Sequence, residues 1–300
     1  MRWIWRKIIS LFLPFKVLWL KIRNRKLYQM ESQLEFKHFL SVAAIAKNEG
    51  CNFREWIEYH KFVGVEKFYI YDNDSTDNTY KILRPYIEQG LVEYTYFPGK
   101  LKQNPAYLDC IYRHKFDTKW LALIDLDEFI VPLDCETISE FFKKIPPTAT
   151  QLCIGWLVYG NSGHEEIHDG LVLEAFKYHW GVPHSCGKII INPRDLAVLN
   201  AHRSIMINGE TVDENGKVIK PSQWIKGRRL KGNFTIDKIR INHYQIKSWE
   251  EYSQKYDRGA AGSGNYKKYT RKTFDEININ KVLDHTMDKY VERLKDILNQ

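Results

Sequence analysis

Residues 120–130 read WLALIDLDEFI and combine a short apolar run with three acidic residues. The apolar run, residues 120–124, predicts a buried strand. Asp125, Asp127 and Glu128 follow it, and carboxylates this close repel one another unless a cation neutralises them. Carboxylate oxygens are ligands that Mg²⁺ and Mn²⁺ prefer, and these ions also bind phosphate oxygens. The stretch therefore predicts a metal site at a strand end, with a helix cap or a solvated turn as the alternative.

On the N-terminal side of this stretch, strand-like and helix-like segments alternate. The strand-like segments are unbroken apolar runs, and the helix-like segments carry an apolar face at helical spacing. This alternation is typical of an α/β fold with a mostly parallel, Rossmann-like central sheet flanked by helices. The predicted strands are residues 41–46, 67–71, 91–97 and 120–124, and the predicted helices are residues 51–63, 79–89 and 105–116.

The C-terminal half is less regular. No linker rich in Pro, Gly or Ser interrupts residues 31–300, so we predict that they form a single domain. The predicted elements there are strands at 151–159, 188–191 and 238–241, a hairpin tip at 209–216, and helices at 249–257 and 284–298, with a Gly-containing loop at 259–262.

Positive charge is concentrated at the N-terminus. The chain has a formal net charge of +8, from 45 Lys and Arg residues against 37 Asp and Glu residues. Eight of the bases precede Glu31, the first acid, so the rest of the chain is electrically balanced. Proteins that bind nucleic acid carry a basic patch on the folded domain. The balanced charge of residues 31–300 therefore argues against nucleic-acid binding.

Residues 1–26 combine these bases with an apolar stripe. Pro14 and Lys16 interrupt the apolar residues, so the segment is too short to span a bilayer, and no small-residue cleavage site marks a secretory signal. The helical spacing predicts a basic amphipathic helix lying on an anionic membrane surface, or, as the alternative, a helix docked on the protein itself. The stripe comprises Ile8, Leu11, Phe12, Phe15, Leu18, Trp19 and Ile22.

Cysteine usage favours a reducing compartment. The chain has five cysteines, an odd number, without a CxxC pair or a Cys/His zinc spacing. A disulfide scaffold or a zinc knuckle is therefore not expected. Together with the basic N-terminal segment, this predicts a cytoplasmic protein that is peripheral on the inner face of the cytoplasmic membrane.

Two more polar clusters follow predicted strands. Lys47-Asn48-Glu49 comes after the first strand, and Asp72-Asn73-Asp74 comes after the second. Ligands of an open α/β sheet bind beyond the carboxyl ends of its strands, so we expect these clusters to meet the acidic cluster at one edge.

Each of these clusters also has a structural interpretation. Asp72 and Asn73 can hydrogen-bond a base or ribose hydroxyls, or they can form an Asx turn. The cluster at 47–49 can cap helix 51–63, a role compatible with ligand binding because a helix N-terminus attracts anions. Asp77 and Asn78 are assigned to capping helix 79–89.

Several long motifs occur in a fixed order along residues 41–262. They are AIAKNE at 44–49, EWIEYH at 55–60, YIYDNDSTD at 69–77, Gln103 with DCIYR at 109–113, WLALIDLDEFI at 120–130, Trp156 with GNSGH at 160–164, GK at 187–188, NHY at 242–244, and Lys255 with Arg258 and Gly259. This series resembles the GT-A glycosyltransferases of family 92 and their family-2-like bacterial relatives. An ordered series is far more specific than a single Asp-x-Asp.

The resemblance implies an inverting transfer of a sugar from a nucleotide-sugar, with a UDP-sugar as the expected donor, to a glycan or lipid-linked glycan acceptor. The implied setting is surface polysaccharide or lipopolysaccharide synthesis. Residues 41–135 would form the nucleotide-sugar half of the domain, and residues 150–262 the acceptor half. A metal-dependent phosphohydrolase or nucleotidyltransferase that uses the same acids is the alternative.

The resemblance also assigns site residues. Asp125 would lie near the ribose and the metal, Asp127 would bind Mn²⁺ or Mg²⁺, and His243 would be a further metal ligand. Lys188 would pair with the diphosphate, or it is only a surface charge. The residues implied to hold the donor are Lys47, Asn48, Glu49, Asp72 and Asn73.

An inverting displacement also needs a base that takes the acceptor proton. The loop after the strand at 151–159 offers Glu165, Asp169 and His164 as candidates. The alternative is that the acids only form a solvated loop and that His164 contacts the acceptor.

Overall fold

The computed structural model describes residues 2–25, 29, 33–226, 228–258 and 270–298, without the side chains of residues 2–11 and 256–258. Lys26, Glu31, Gly259 and the predicted loop at 259–262 lie outside the described residues.

The described residues form the following elements. The helices are α1 Arg2–Arg23, α2 Gly50–Phe62, α3 Thr79–Glu88, α4 Gln103–His114, α5 Ile138–Phe142, α6 Val172–Ala175, α7 Trp249–Arg258, α8 Arg271–Ile277 and α9 Asp288–Leu298. The strands are β1 His38–Ala46, β2 Lys67–Asp72, β3 Val92–Tyr96, β4 Thr118–Leu123, β5 Glu128–Pro132, β6 Ala149–Val158, β7 Tyr178–His179, β8 Gly187–Ile191, β9 Leu196–Val198, β10 Ile205–Met206, β11 Glu210–Val212, β12 Trp224–Ile225, β13 Arg229–Leu230, β14 Ile239–His243 and β15 Val282–Leu283.

A mixed sheet holds nine of these strands in the order β3-β2-β1-β4-β8-β6-β14-β5, with β11 paired to β6. β1 to β4 are parallel to one another, and β6 is parallel to β14 and β11. β8 is antiparallel to β4 and β6, and β5 is antiparallel to β14. The carboxyl ends of the parallel strands and the amino ends of β8 and β5 therefore lie together, at what we call the upper edge of the sheet.

The core lies on both faces of this sheet. Val42 and Ala44 of β1 pack with residues of α2 and α3 on one face. Ala43 and Ile45 pack on the other face, where α4 contributes Tyr107. Because both faces of the sheet are covered, successive residues of β1 are buried whichever face they point to, which explains its unbroken apolar sequence.

The predicted α/β class and mostly parallel sheet are confirmed. Two elements differ from the prediction. Part of the predicted hairpin tip, Glu210–Val212, is an edge strand parallel to β6, and only the turn that follows is hairpin-like. The last helix begins at Asp288 rather than at residue 284, because the Asp284 carboxylate accepts hydrogen bonds from Thr286 and Tyr159 and forms an ion pair with Arg240.

Residues Arg2–Arg23 form the predicted N-terminal helix, α1. The described side chains of the predicted apolar stripe are more than half exposed, whereas Leu13, Val17 and Leu20 are partly buried, and α1 also approaches β9. None of the described helices has the length and apolar character needed to cross a bilayer. The exposed apolar side chains are Phe12, Phe15, Leu18, Trp19 and Ile22.

Candidate active site

Asp125 lies just beyond β4 and is held from three sides. Its Oδ2 accepts a hydrogen bond from Lys188 Nζ at 2.7 Å, and its Oδ1 accepts from Gln103 Nε2 at 3.0 Å and from the Tyr107 hydroxyl at 3.3 Å. Glu128 Oε2 accepts from the Asp125 backbone N–H at 2.9 Å and lies 3.2 Å from Lys188 Nζ. Lys188 therefore binds two carboxylates at once.

Lys188 and Glu128 are buried, at 2% and 0% exposure. Lys188 is thus not a surface charge. Burial alone would lower the pKa of Lys188, but Asp125 and Glu128 raise it, so the ammonium stays charged. Burial raises the pKa of Glu128 to about 7, against the opposing effect of Lys188.

Asp127 belongs to a second group of charges beside the first. Its Oδ2 accepts from Lys255 Nζ of α7 at 3.0 Å, and its Oδ1 lies 3.5 Å from His243 Nε2 at the end of β14. Burial alone would raise the pKa of Asp127, but Lys255 and His243 hold it well below its usual range. The Trp156 ring packs on the His243 ring with centroids 4.4 Å apart.

The two lysines change the interpretation of the acidic cluster. The sequence indicated that a cation must neutralise the three acids, and a metal was the expected cation. In the structure, Lys188 pairs with both Asp125 and Glu128, and Lys255 pairs with Asp127, so two ammonium groups offset two of the three negative charges. The repulsion between the acids is therefore relieved by the protein itself, and a metal ion is not needed to explain their proximity.

The expected metal ligands are brought together in part. Asp127 Oδ1 and His243 Nε2 are close enough to share one ion, whereas both oxygens of Asp125 are hydrogen-bonded to other side chains. Across the described ranges, no three His, Cys, Asp or Glu side chains form a metal-binding group. Mg²⁺ and Mn²⁺ are commonly bound by one or two protein ligands together with phosphate oxygens and water. Asp127 and His243 fit such a two-ligand site.

Asp72 and Asn73 organise the loops at the upper edge. Asp72 Oδ1 accepts from the Ser75 N–H, three residues on, at 2.8 Å, a local side-chain-to-backbone bond one residue longer than an Asx turn, and its Oδ2 accepts from the Tyr94 hydroxyl at 2.6 Å. Asn73 Nδ2 donates to the carbonyls of Phe97 and Gly99 at 2.9 and 2.8 Å. The structural interpretation of Asp72 thus applies, and both side chains shape the loop walls.

The segment 47–49 joins the loop that follows β2. Lys47 Nζ lies 3.8 Å from Asp74 Oδ2, and Asn48 Oδ1 accepts from the Thr76 N–H at 2.7 Å. Glu49 occupies the N-cap position of α2 without a side-chain cap bond.

The start of α2 is capped from the loop after β2. Asp77 Oδ2 accepts from the Gly50 N–H at 2.9 Å, and its Oδ1 accepts from the Thr79 N–H at 3.0 Å. Asp77 therefore caps two helices, while Asn78 sits at the N-cap position of α3 without a side-chain cap bond.

A cavity of about 350 Å³ opens beside Asp127. It lies between the loop after β1 and helix α7, and its lining includes lysines from the segment around α7. This cavity, called the first cavity below, lies between one residue of the acidic cluster and the segment 47–49. Its lining includes Asn48, Glu49, Asp127, Lys247, Glu251 and Lys255.

The candidate bases lie in the loop after β6, and they do not line the first cavity. Glu165 forms a two-point ion pair with Arg271 of α8, which lowers the pKa of Glu165. His164 and Asp169 line another cavity, of about 380 Å³, and neither they nor Glu165 are among the described residues that line the first cavity.

Four residues of this site were not assigned a role from sequence. The sequence marks Glu128 only as the third acid of the cluster. Its pairing with Lys188 depends on β5 running antiparallel to β14. Gln103 and Lys255 belonged to the ordered motifs, which was the available signal for them. Tyr107 follows Gln103 by four residues, so both lie on one face of α4.

The upper edge thus brings acids, lysines and a histidine around an open cavity. These features define an α/β protein whose sheet edge suits a phosphate-bearing ligand together with a divalent cation. The chain belongs to glycosyltransferase family 92, whose family model matches residues 40–295. The resemblance seen in the motifs is confirmed.

Curated relatives come from plants. A glycosyltransferase family 92 protein of Oryza sativa subsp. japonica is 25% identical over 246 residues, which cover 81% of this chain and 38% of the relative. A galactan β-1,4-galactosyltransferase of Arabidopsis thaliana is 28% identical over 180 residues, which cover 53% of this chain and 34% of the relative. The chain thus spans well under half the length of these relatives.

Solved structures of glycosyltransferases are distantly similar. Glucosyl-3-phosphoglycerate synthase from Mycobacterium tuberculosis, in complex with Mn²⁺, UDP and glucosyl-3-phosphoglycerate, has a TM-score of 0.27 and 17% identity over 40% of this chain and 44% of that one. S. aureus TarS 1-349, in complex with UDP, has a TM-score of 0.34 and 12% identity over 52% of this chain and 47% of that one. These scores are too low for any feature of the site to be inferred from them.

Proposed function

We propose that this protein transfers a sugar, with inversion, from a UDP-sugar to a hydroxyl of a glycan or lipid-linked glycan, assisted by Mn²⁺ or Mg²⁺. The observation that carries the proposal is the pair Asp127 and His243 beside the first cavity, in a chain of glycosyltransferase family 92. Galactose is the first sugar to test, because one relative is named a galactosyltransferase.

In this reaction the acceptor oxygen bonds to C1 of the donor sugar while the bond from C1 to the diphosphate oxygen breaks. The diphosphate leaves with the bonding electron pair, and a base takes the acceptor proton. Asp127 and His243 would hold the divalent cation, which when bound neutralises charge on the leaving diphosphate. Lys247 and Lys255 line the first cavity and add positive potential there.

The remaining polar residues are proposed to hold the donor. Asn48 and Glu49 line the first cavity and would contact the nucleoside, next to Lys47. Asp72 and Asn73 would act through the loops that they shape. Lys188 would hold the Asp125 carboxylate in place toward the ribose, rather than contact the diphosphate itself.

The base is proposed to be His164 or Asp169. Arg271 stabilises the charged form of Glu165, and a carboxylate with a lowered pKa is a weak base. Glu165 is therefore the least suitable of the three.

We further propose that α1 holds the enzyme on an anionic membrane, on the inner face of the cytoplasmic membrane, beside a lipid-linked acceptor for surface polysaccharide or lipopolysaccharide synthesis. The exposed apolar side chains of α1, together with Lys16, Lys21 and Arg23, support this role.

The test is turnover of labelled UDP-galactose, UDP-glucose and UDP-N-acetylglucosamine with Mn²⁺ and neutral oligosaccharide acceptors. We expect a glycoside product with one of these donors, loss of turnover in EDTA, and recovery with added Mn²⁺. Release of free sugar or sugar phosphate at the same rate with and without acceptor would instead indicate a phosphohydrolase.

A further inference from the structure

The cavity lined by His164 and Asp169, called the second cavity below, has no part in the donor site. It measures about 380 Å³, within the range of about 300–1,000 Å³ usual for ligand pockets. Its lining combines carboxylates, imidazoles and small apolar side chains. The described lining residues are His164, His168, Asp169, Leu171, Glu174 and Ala175.

The two cavities share a wall. Ile167 lines the first cavity, and the next residue, His168, lines the second. Glu251 of α7 lines the first cavity, and its Oε2 lies 3.6 Å from His168 Nδ1. Ile167, His168 and Glu251 thus lie at the boundary between the two cavities.

His168 is the unusual residue of this wall. Its side chain is 8% exposed, its Nδ1 faces the Glu251 carboxylate at 3.6 Å, and its Nε2 has no hydrogen-bond partner within the described residues. A buried polar group without a partner is unfavourable, so such groups are rare unless a ligand or water satisfies them. A ligand rich in hydroxyls supplies both donors and acceptors for the imidazole.

The surroundings of the second cavity are firmly fixed. Glu55 of α2 is buried, and its two carboxylate oxygens accept from the Val172 and Leu173 N–H groups at 2.8 and 2.9 Å. Phe176 contacts the rings of His164 and His168, with centroids 5.4 and 4.7 Å away. The cavity wall is therefore tied directly to α2, whose N-terminal end adjoins the first cavity.

The charged residues that line the second cavity favour neutral ligands over anionic ones. None of its described lining residues is Lys or Arg, and the carboxylate of Asp169 is exposed. Lys295 of α9 lies outside the lining and pairs with Glu174 at 2.6 Å. An anionic sugar would meet the carboxylate of Asp169, which forms no ion pair with any described residue, whereas a neutral sugar can donate hydroxyl hydrogen bonds to it and pack its C–H face on Leu171 and Ala175.

We propose that the second cavity is the acceptor subsite and that it selects neutral glycans over glycans bearing carboxylate or phosphate groups. This rests on the proposed function, since it names the acceptor class for that reaction. In the bound complex His168 hydrogen-bonds acceptor hydroxyls, and Asp169 provides the discrimination against negative charge.

The test is equilibrium binding of oligosaccharides to the full chain, measured by calorimetry. The probes are the neutral tetrasaccharides of β-1,4-galactose, β-1,4-glucose and α-1,6-mannose, and tetragalacturonate is the anionic probe. We expect wild type to bind at least one neutral probe about tenfold more tightly than tetragalacturonate. His168→Leu should weaken that binding about tenfold, His168→Gln should restore part of it, and Asp169→Asn should narrow the preference for the neutral probe.

Glu292→Gln is the matched control, because Glu292 is an exposed carboxylate on α9 one turn from Lys295 and outside the cavity lining. It should leave all these affinities unchanged. UDP binding in the presence of Mn²⁺ is measured in every variant and should stay at the wild-type value, which shows that each variant is folded.

The proposal is overturned if wild type binds none of the neutral probes, if it prefers tetragalacturonate, or if His168→Leu and Asp169→Asn both bind like wild type. Failure of the proposed function has a different signature. In that case UDP with Mn²⁺ does not bind and no UDP-sugar is turned over, whatever the oligosaccharide affinities.

Discussion

Asp127 is the residue on which the proposed chemistry depends most directly. It contacts Lys255 and His243, and it is the acid of the cluster that lines the first cavity. We expect Asp127→Asn to lower turnover by about 10²–10³-fold, which is typical when a group that stabilises transition-state charge is removed. The melting temperature should change by only a few degrees, because Lys255 is partly exposed and water can solvate it.

Initial rates and thermal melts of the same preparation measure this prediction. Asp134→Asn is the control, since Asp134 forms a surface ion pair with Lys144 away from the site. Near-wild-type turnover by a folded Asp127→Asn protein would remove the metal role from this residue.

His60 is a buried histidine that makes the stability of the fold depend on pH. It is fully buried in α2, where Nδ1–H donates to the Trp56 carbonyl at 2.8 Å and Nε2 accepts from the Ile130 N–H at 3.3 Å. Both nitrogens are used by the neutral ring, and burial lowers the pKa of His60 to about 3. The unfolded chain binds this proton below a pH of about 6.5, and the folded chain does not.

The stability contributed by neutral His60 is therefore present above the unfolded pKa and is lost as the pH falls from about 6.5 toward about 3. We expect the free energy of unfolding of wild type to fall by up to about 1.4 kcal/mol per pH unit more steeply than that of His60→Gln in this window. Urea unfolding at pH 6.5, 5.5 and 4.5 measures the slopes. An unchanged slope in His60→Gln would contradict the assignment.

At the scale of elements, strand β8 is the one whose placement matters most. It enters antiparallel between β4 and β6, so its first residues, Gly187 and Lys188, arrive at the upper edge. A Cβ at Gly187 would lie 2.0 Å from the Ile154 carbonyl oxygen, a backbone atom that cannot move aside. This close approach explains why glycine precedes Lys188.

We expect Gly187→Ala to destabilise the protein by about 3 kcal/mol through overpacking, and to weaken donor binding because Lys188 moves with the strand. Denaturant unfolding and UDP titration test both effects. Ile189→Val, at a buried position of the same strand, should cost only about 1 kcal/mol and leave UDP binding unchanged. Wild-type stability in Gly187→Ala would show that β8 and β6 are less closely packed than the structure indicates.

Helix α1 carries the membrane proposal. Its exposed apolar residues give an attraction to lipid that salt does not weaken, and each base adds about 1 kcal/mol at most, which salt screens. We expect removal of residues 1–26 to abolish sedimentation with anionic vesicles while turnover of a soluble acceptor stays nearly unchanged. High salt should weaken vesicle binding only in part.

Replacing Phe15 and Trp19 together by Glu in the full chain is the matched variant, because it changes the apolar face while keeping the helix length. It should also lose vesicle binding. If the truncated protein still sediments with vesicles, or if it unfolds, α1 is a docked helix of the body.

For the molecule as a whole, donor binding should appear as stabilisation of the folded state. A ligand at 100 times its dissociation constant adds about 2.7 kcal/mol to the free energy of unfolding. We expect UDP with Mn²⁺ to raise the melting temperature by several degrees, and UDP alone or Mn²⁺ alone to raise it less, since Asp127 and His243 make only a two-ligand site. The same shift with UDP in EDTA would contradict metal-assisted binding.

Local patterns were enough to predict the alternating strands and helices of the first half. β1 and β2 are buried on both faces, and each helix has one apolar face, so the hydrophobic period reports these elements directly. The acids at the end of β4 and the histidine at the end of β14 were also predictable, because they belong to motifs in a recognisable order. The boundaries at 210–212 and 288 were not, since they depend on pairing with β6 and on contacts of Asp284 with distant residues.

The sequence by itself determined the α/β class, the family and the acids at the sheet edge, because hydrophobic period and motif order can be read along the chain without knowing which distant residues touch. Only the tertiary structure decided that β8 and β5 run antiparallel and so carry Lys188 and Glu128 to the same edge as Asp125. It also decided that Lys255, 128 residues from Asp127, neutralises that acid. Charges pair according to their distance in space and not according to their separation in the chain. No pattern within a short stretch of sequence could therefore reveal which lysine pairs with which acid.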